Sequence, residues 1–199
     1  MEILSQRAFD IFRFIFPGLF VTAIFVIIKS GTIKTPDDII TVIVDKIAFN
    51  RVILLILGSY VIGIAHDQFC AFLLRIFKLK KSFKQEYISP SSLSTAEKYV
   101  LVRHFSPKII VEIDKWHMLK GMCVNISGFL LYFTFCCIVK FSAGNPFWSW
   151  FMLSIFSLSG SILIYIRSKS YNTWALQDLD SAIDTLNLIE KGKSWNPNA

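Results

Sequence analysis

Charge is scarce in this chain, and so are the short motifs by which enzymes are commonly recognised. Only 18% of its 199 residues are Asp, Glu, Lys or Arg, where a soluble domain carries nearer one quarter. The sequence has no GxSxG elbow, HExxH pair, Walker loop, GxGxxG turn or CxxC pair. Nothing therefore points to acyl transfer, zinc proteolysis, nucleotide binding or thiol redox chemistry. The four cysteines, Cys70, Cys123, Cys136 and Cys137, lie in apolar runs at no metal-ligand spacing. They read as small apolar residues rather than as a disulfide framework. Glu112, Asp114 and His117, with His104 nearby, come closest to a metal set. Asp114 and His117 share a helical face, but Glu112 points elsewhere. The sequence predicts no enzyme, no metal and no cofactor.

Apolar residues fill the space that charge leaves. They make up 54% of the chain, nineteen of them are Phe, and mean hydropathy is +0.54. Four runs approach or reach the roughly 20 residues that cross a bilayer's hydrocarbon core. They are Ile11–Ile28 (broken by Arg13), Val52–Leu74 (broken by His66 and Asp67), Gly121–Val139 and Phe147–Ile166. Four buried helices of a soluble protein would need equally long amphipathic helices to cover them, and none remains. The expected fold is an all-α integral membrane protein with four transmembrane helices, a cytoplasmic helical extension and a C-terminal amphipathic helix. No small-x-small cleavage site follows the first run, which reads as a retained span.

Lys and Arg set the orientation. Sixteen of the 21 lie in the amino-terminal flank, the long middle segment and the tail; Lys29, Lys34, Lys46, Arg51 and Lys140 face the other way. Both termini are therefore expected in the cytoplasm. The net charge of +7 is mostly a topology signal. A nucleic-acid patch is the sharper reading of the basic middle, and direct nucleic-acid binding is not expected. The chain divides into 1–30 (amino terminus and first span), 31–50 (outer loop), 51–75 (second span) and 76–117 (basic cytoplasmic segment). There follow 118–141 (third span), 142–146 (outer turn), 147–167 (fourth span) and 168–199 (cytoplasmic helix and tail).

Local signals fill in these segments. Thr35, Pro36 and Asp38 open an amphipathic helix in the outer loop with Ile39, Ile40, Ile43, Val44 and Ile47 on one face. It is too short to span and is expected at the outer surface; a re-entrant pore helix is the alternative. Ser94 and Glu97 form a second capping box, and Ser106–Pro107 opens a helix unbroken to Phe141, about 52 Å long at 1.5 Å per residue. Asn145 and Pro146 start the last span, with Trp148 and Trp150 at headgroup depth. Leu176, Leu179, Ala182, Ile183, Leu186 and Ile189 make a stripe on a tail helix that Gly192 can end. Its partner is either the Ala96–Phe105 helix or another subunit. No second globular domain is expected.

Ionisable residues inside spans are costly and face the protein interior. Asp10 and Arg13, His66 and Asp67, Asn125 and Tyr165 fall at one depth on four spans, which predicts a polar cluster centred on an Arg13–Asp67 ion pair. It is either a proton- or ion-sensitive gate or a clasp that fixes helix packing. Ser59 and Gly63, then Gly121, Asn125 and Gly128, then Ser154, Ser157 and Ser161 form faces of small residues suited to close helix association. They serve packing and a homo-oligomer, or the serines line a narrow pore. A cytoplasmic protein partner is expected on Arg103, Lys108, Lys115, Leu179, Ile183 and Leu186.

With four spans, inner termini, the charged stretch "EKYVLVRHFSPKIIVEIDKWHMLKGM" and a helical tail, the layout resembles the small four-span membrane subunit of the bacterial Kiwa antiphage defence system. The resemblance covers the whole chain as an arrangement. It implies a homotetrameric inner-membrane sensor of phage attack that works with a cytoplasmic DNA-binding partner, and it assigns no residue. Accessory membrane proteins of other bacterial immune systems look similar in outline and imply a membrane-acting effector. A small transporter is disfavoured by the lack of paired halves or broken helices.

Overall fold

The computed structural model describes residues 2–39, 52–76 and 93–190, with side chains over 13–39, 55–72 and 93–190. Asp10, the outer amphipathic segment beyond Ile39, the basic run after the second span and Gly192 lie outside the described side chains. Every described element is helical: α1 (Glu2–Lys29), α2 (Val52–Ile76), α3 (Thr95–Phe105), α4 (Pro107–Ser142) and α5 (Phe147–Thr185). Three of these, α2, α4 and α5, are long and apolar enough to cross a membrane.

Local chemistry sets the helix ends. The Glu97 N–H donates to Ser94 Oγ at 3.3 Å, and the Ser94 N–H donates to the Glu97 carboxylate at 2.7 Å. Two orphan donors are thereby satisfied at the start of α3. A single residue, Ser106, separates α3 from α4. Its N–H closes α3 on the Val102 carbonyl at 2.8 Å, and its own carbonyl accepts from Ile109 at 3.0 Å. Pro107 then occupies the one helical position where a missing N–H costs nothing. At Thr35 half of a box forms: the Asp38 carboxylate accepts from the Thr35 and Lys34 N–H groups at 2.8 and 2.9 Å. Those bonds hold Asp38 below the usual carboxylate range.

The contacts divide the chain into two units, Met1–Leu73 with Met122–Ile166 and Leu74–Gly121 with Arg167–Ala199. The first packs with its polarity reversed. Ser59, His66, Asn125, Ser127, Thr134, Ser154, Ser157 and Ser161 are buried, while Phe25, Leu57, Val61, Phe135, Phe156 and Leu163 are exposed. Such a surface suits lipid, which has no need of polar atoms. Glycines set the tightest contact. A Cβ on Gly18 would clash with the Ser59 carbonyl, and one on Gly63 with the Phe14 carbonyl, so α1 and α2 cross backbone against backbone.

The second unit packs in the ordinary sense. Val102 of α3, Ile110 and Ile113 of α4, and Ala175, Leu179, Ala182 and Ile183 of α5 form one apolar core with Leu188. This unit has an apolar core of its own. Leu179 and Ile183 are about 1% exposed or less, and Leu186 packs against the same core. They are consumed within the chain, not offered to a partner, because α3 and α4 together cover the stripe. The stripe is interrupted at 186–187. Asn187 takes a left-handed φ of 49° after α5 stops, and this turn buries Leu188 while leaving Ile189 exposed.

One ion pair is sealed in this core. Lys98 donates to the Asp180 carboxylate with both side chains almost wholly buried. Removing one partner strands the other's charge, whereas removing both need not be harmful. Asp180→Leu is expected to destabilise the protein by roughly 3–5 kcal/mol, and Lys98→Met with Asp180→Leu to recover most of that. Thermal unfolding of the detergent-solubilised variants checks this; equal losses in the single and double variants would refute it.

Candidate functional site

The first unit gathers its polar groups around Asp67 of α2. Arg13 Nη2 of α1 lies 2.9 Å from Asp67 Oδ1, and Asn125 Nδ2 of α4 donates to the same oxygen at 2.9 Å. That bond fixes the Asn125 amide, since only its nitrogen can donate to a carboxylate. Beside it, His66 Nε2 lies 2.9 Å from the Asn125 backbone carbonyl. A carbonyl only accepts, so Nε2 is the nitrogen that carries the proton in a neutral imidazole; the Cys70 sulfur lies 3.5 Å from Nε2 and 3.9 Å from Nδ1. The Tyr132 ring meets His66 edge to face at 5.4 Å. His66 and Asn125 are 5% and 1% exposed, values low enough that every bond must be found inside the protein.

Spacing on α2 explains how adjacent residues serve two neighbours. His66 and Asp67 differ by about 100° of helical rotation, so the carboxylate reaches Arg13 while the imidazole turns to α4. Gly128, one turn from Asn125, makes room. A Cβ there would press on Cys70 Sγ and meet His66 Cε1 at 3.4 Å.

Of the residues expected in this cluster, Arg13, His66, Asp67 and Asn125 come together. The Tyr165 hydroxyl makes no hydrogen bond to any of those four. What holds α5 is the serine face. Ser161 Oγ donates to the Ser127 carbonyl at 2.9 Å and Ser127 Oγ to the Ser161 carbonyl at 3.0 Å. Ser157 Oγ lies 2.6 Å from Thr134 Oγ1. Ser154, Ser157 and Ser161 are all buried. The stripe neither lines an open path nor presents an oligomer face, because α4 occupies it. Ser59 and Gly63 are likewise filled by α1, and Gly121 is half-buried.

A second polar cluster was not read from the sequence. Lys140, near the end of α4, is buried and donates to the Ser30 and Ile33 carbonyls at 3.0 Å each. Trp150 Nε1 donates to the Lys34 carbonyl at 2.7 Å, and Asn145 Nδ2 to the Lys140 carbonyl at 2.8 Å. Trp150 is therefore fully buried, and of the expected tryptophan pair only Trp148 is exposed. The available signal was a lone lysine ending a 19-residue apolar run, beside a loop whose carbonyls need donors.

Arg103, Lys108 and Lys115 are exposed on the second unit, with Lys115 2.5 Å from Glu112. Among the described residues no three His, Cys, Asp or Glu side chains converge as metal ligands. Compared with protein-family models, curated proteins and solved structures, the chain matches none.

The Asp67 carboxylate accepts from two helices at once, from Arg13 of α1 and Asn125 of α4. Asp67→Leu leaves the Arg13 guanidinium and the Asn125 amide without their acceptor, and should cost roughly 3 kcal/mol or more. Adding Arg13→Leu should restore part of the loss. Denaturation in mixed micelles measures both; strict additivity of the two substitutions would mean that they do not interact.

Proposed function

We propose that this protein is a four-span, non-enzymatic anchor and sensor subunit of a bacterial inner membrane, with both termini in the cytoplasm. In this reading α1 is the fourth span and the residues following it begin an outer surface helix. The second unit stands in the cytoplasm and docks a soluble partner through its exposed basic side chains Arg103, Lys108 and Lys115. One observation carries the reading: a single chain builds one body with a lipid-suited exterior and another with a water-suited core. A membrane protein that only spans has no use for the second.

The resemblance to the small Kiwa membrane subunit supports the biological setting. On it, the chain works as a homotetramer in antiphage defence with a DNA-binding partner in the cytoplasm. The bonds that tie the serines of α5 to α4 favour a clasp over a gate or pore.

Cysteine placement tests the topology. Thr32→Cys is expected to react with an impermeant maleimide in spheroplasts, and Lys108→Cys only after permeabilisation. The reverse pattern would overturn the orientation. The combined charge reversal Arg103→Glu and Lys108→Glu is expected to cut co-purification with the soluble protein encoded beside it at least tenfold, with unchanged membrane content. Undiminished recovery would remove this face as the docking surface.

A further inference from the structure

Residues 147–166 of α5 contain no ionised side chain, and Arg167 is the first to follow them. Its guanidinium carbon stands 4.6 Å from the Trp174 ring centre and 4.9 Å from that of Tyr171. Those rings meet edge to face at 5.5 Å. From α4, Trp116 stacks on Tyr171 at 5.9 Å and meets Trp174 edge-on at 5.2 Å. The Trp116 indole is fixed in turn, its N–H donating to Asp178 at 2.8 Å.

A guanidinium laid on aromatic faces keeps its N–H donors in its own plane, directed past the rings. Arg167 is exposed and makes no ion pair among the described residues. Lys120 is the last ionised residue of α4 before that helix's own charge-free run, 121–139, and its Nζ donates to Asn172 at 2.8 Å. Two cations thus mark the points where two helices change from charged to apolar, in the same unit as the three aromatic rings. Planar donors for a phosphate, together with rings suited to the bilayer boundary, are the chemistry of a lipid headgroup.

We infer that Arg167 and Lys120, framed by Trp116, Tyr171 and Trp174, bind the phosphate of an anionic phospholipid. The inference rests on the reading of α4 and α5 as spans. Recovery of the full chain without detergent would defeat that reading first, and separately.

The test uses the purified full chain in micelles, with native mass spectrometry after adding phosphatidylglycerol or phosphatidylcholine. The wild type is expected to retain phosphatidylglycerol in preference. Arg167→Gln should lower that retention about fivefold, Arg167→Lys should fall between, and Lys29→Gln, an exposed cation of the first unit, should change nothing. Equal retention by Arg167→Gln, or an equal loss in Lys29→Gln, would overturn the site. Displacement of the lipid by millimolar inorganic phosphate alone would make it a small-anion site and overturn the lipid assignment.

Discussion

A carboxylate held away from water must be neutralised and hydrogen-bonded where it stands, and Asp67 meets that demand with donors from two other helices. Arg13 supplies charge from α1, and Asn125 supplies a neutral N–H from α4. The arrangement of the first unit follows from this requirement. For Arg13 to arrive, α1 and α2 must approach as closely as Gly18 and Gly63 allow. For Asn125 to arrive, α4 must lie against His66 and Cys70 at Gly128. The glycines and the ionised pair are thus parts of one solution, since a larger residue at either crossing would pull the donors out of range.

The same requirement separates the two bodies. Where no water competes, hydroxyls of modest strength in water become useful fasteners, and Ser127, Thr134, Ser157 and Ser161 join α4 to α5 through them. In the second unit, apolar side chains drive packing in the familiar way, and the buried Lys98–Asp180 pair sits among Val102, Leu179 and Ile183. Such a pair adds little net stability against an apolar replacement. Its effect is to match α3 to one position along α5, because a shift by one residue would leave two charges apart.

Much of this was legible in the sequence and some was not, for physical reasons. Helix starts at Ser94 and Pro107 were legible because capping is local chemistry: four consecutive residues decide it. Arg13, Asp67 and Asn125 could be set at one depth because helical rise is regular. Which way Tyr165 faces at that depth depends on rotation about α5, which single-chain periodicity leaves open when the whole stretch is apolar. The serine stripe was visible as a face, yet a face does not name its neighbour. Lys140 was read as a positive charge marking a side, when its ammonium in fact closes the carbonyls of a loop more than one hundred residues earlier. The second core escaped because its members come from three separated stretches, each too short to look like a domain.

Apart from Gly128, which sets α4 on α2, the small-residue contacts fall between chain neighbours: α1 against α2, and α4 against α5 across the four residues from Ala143 to Pro146. Each hairpin can therefore close soon after its second helix leaves the ribosome, before the other pair exists. The bonds of Asp67 and His66 to Asn125, those of Lys140 and Trp150 to the loop after α1, and the apolar cluster of Ile24, Ile27, Cys136, Cys137 and Trp150 join the two afterwards. A lesion at Asn125 would then weaken the late joining, whereas a lesion at Gly63 would act earlier, within the first hairpin.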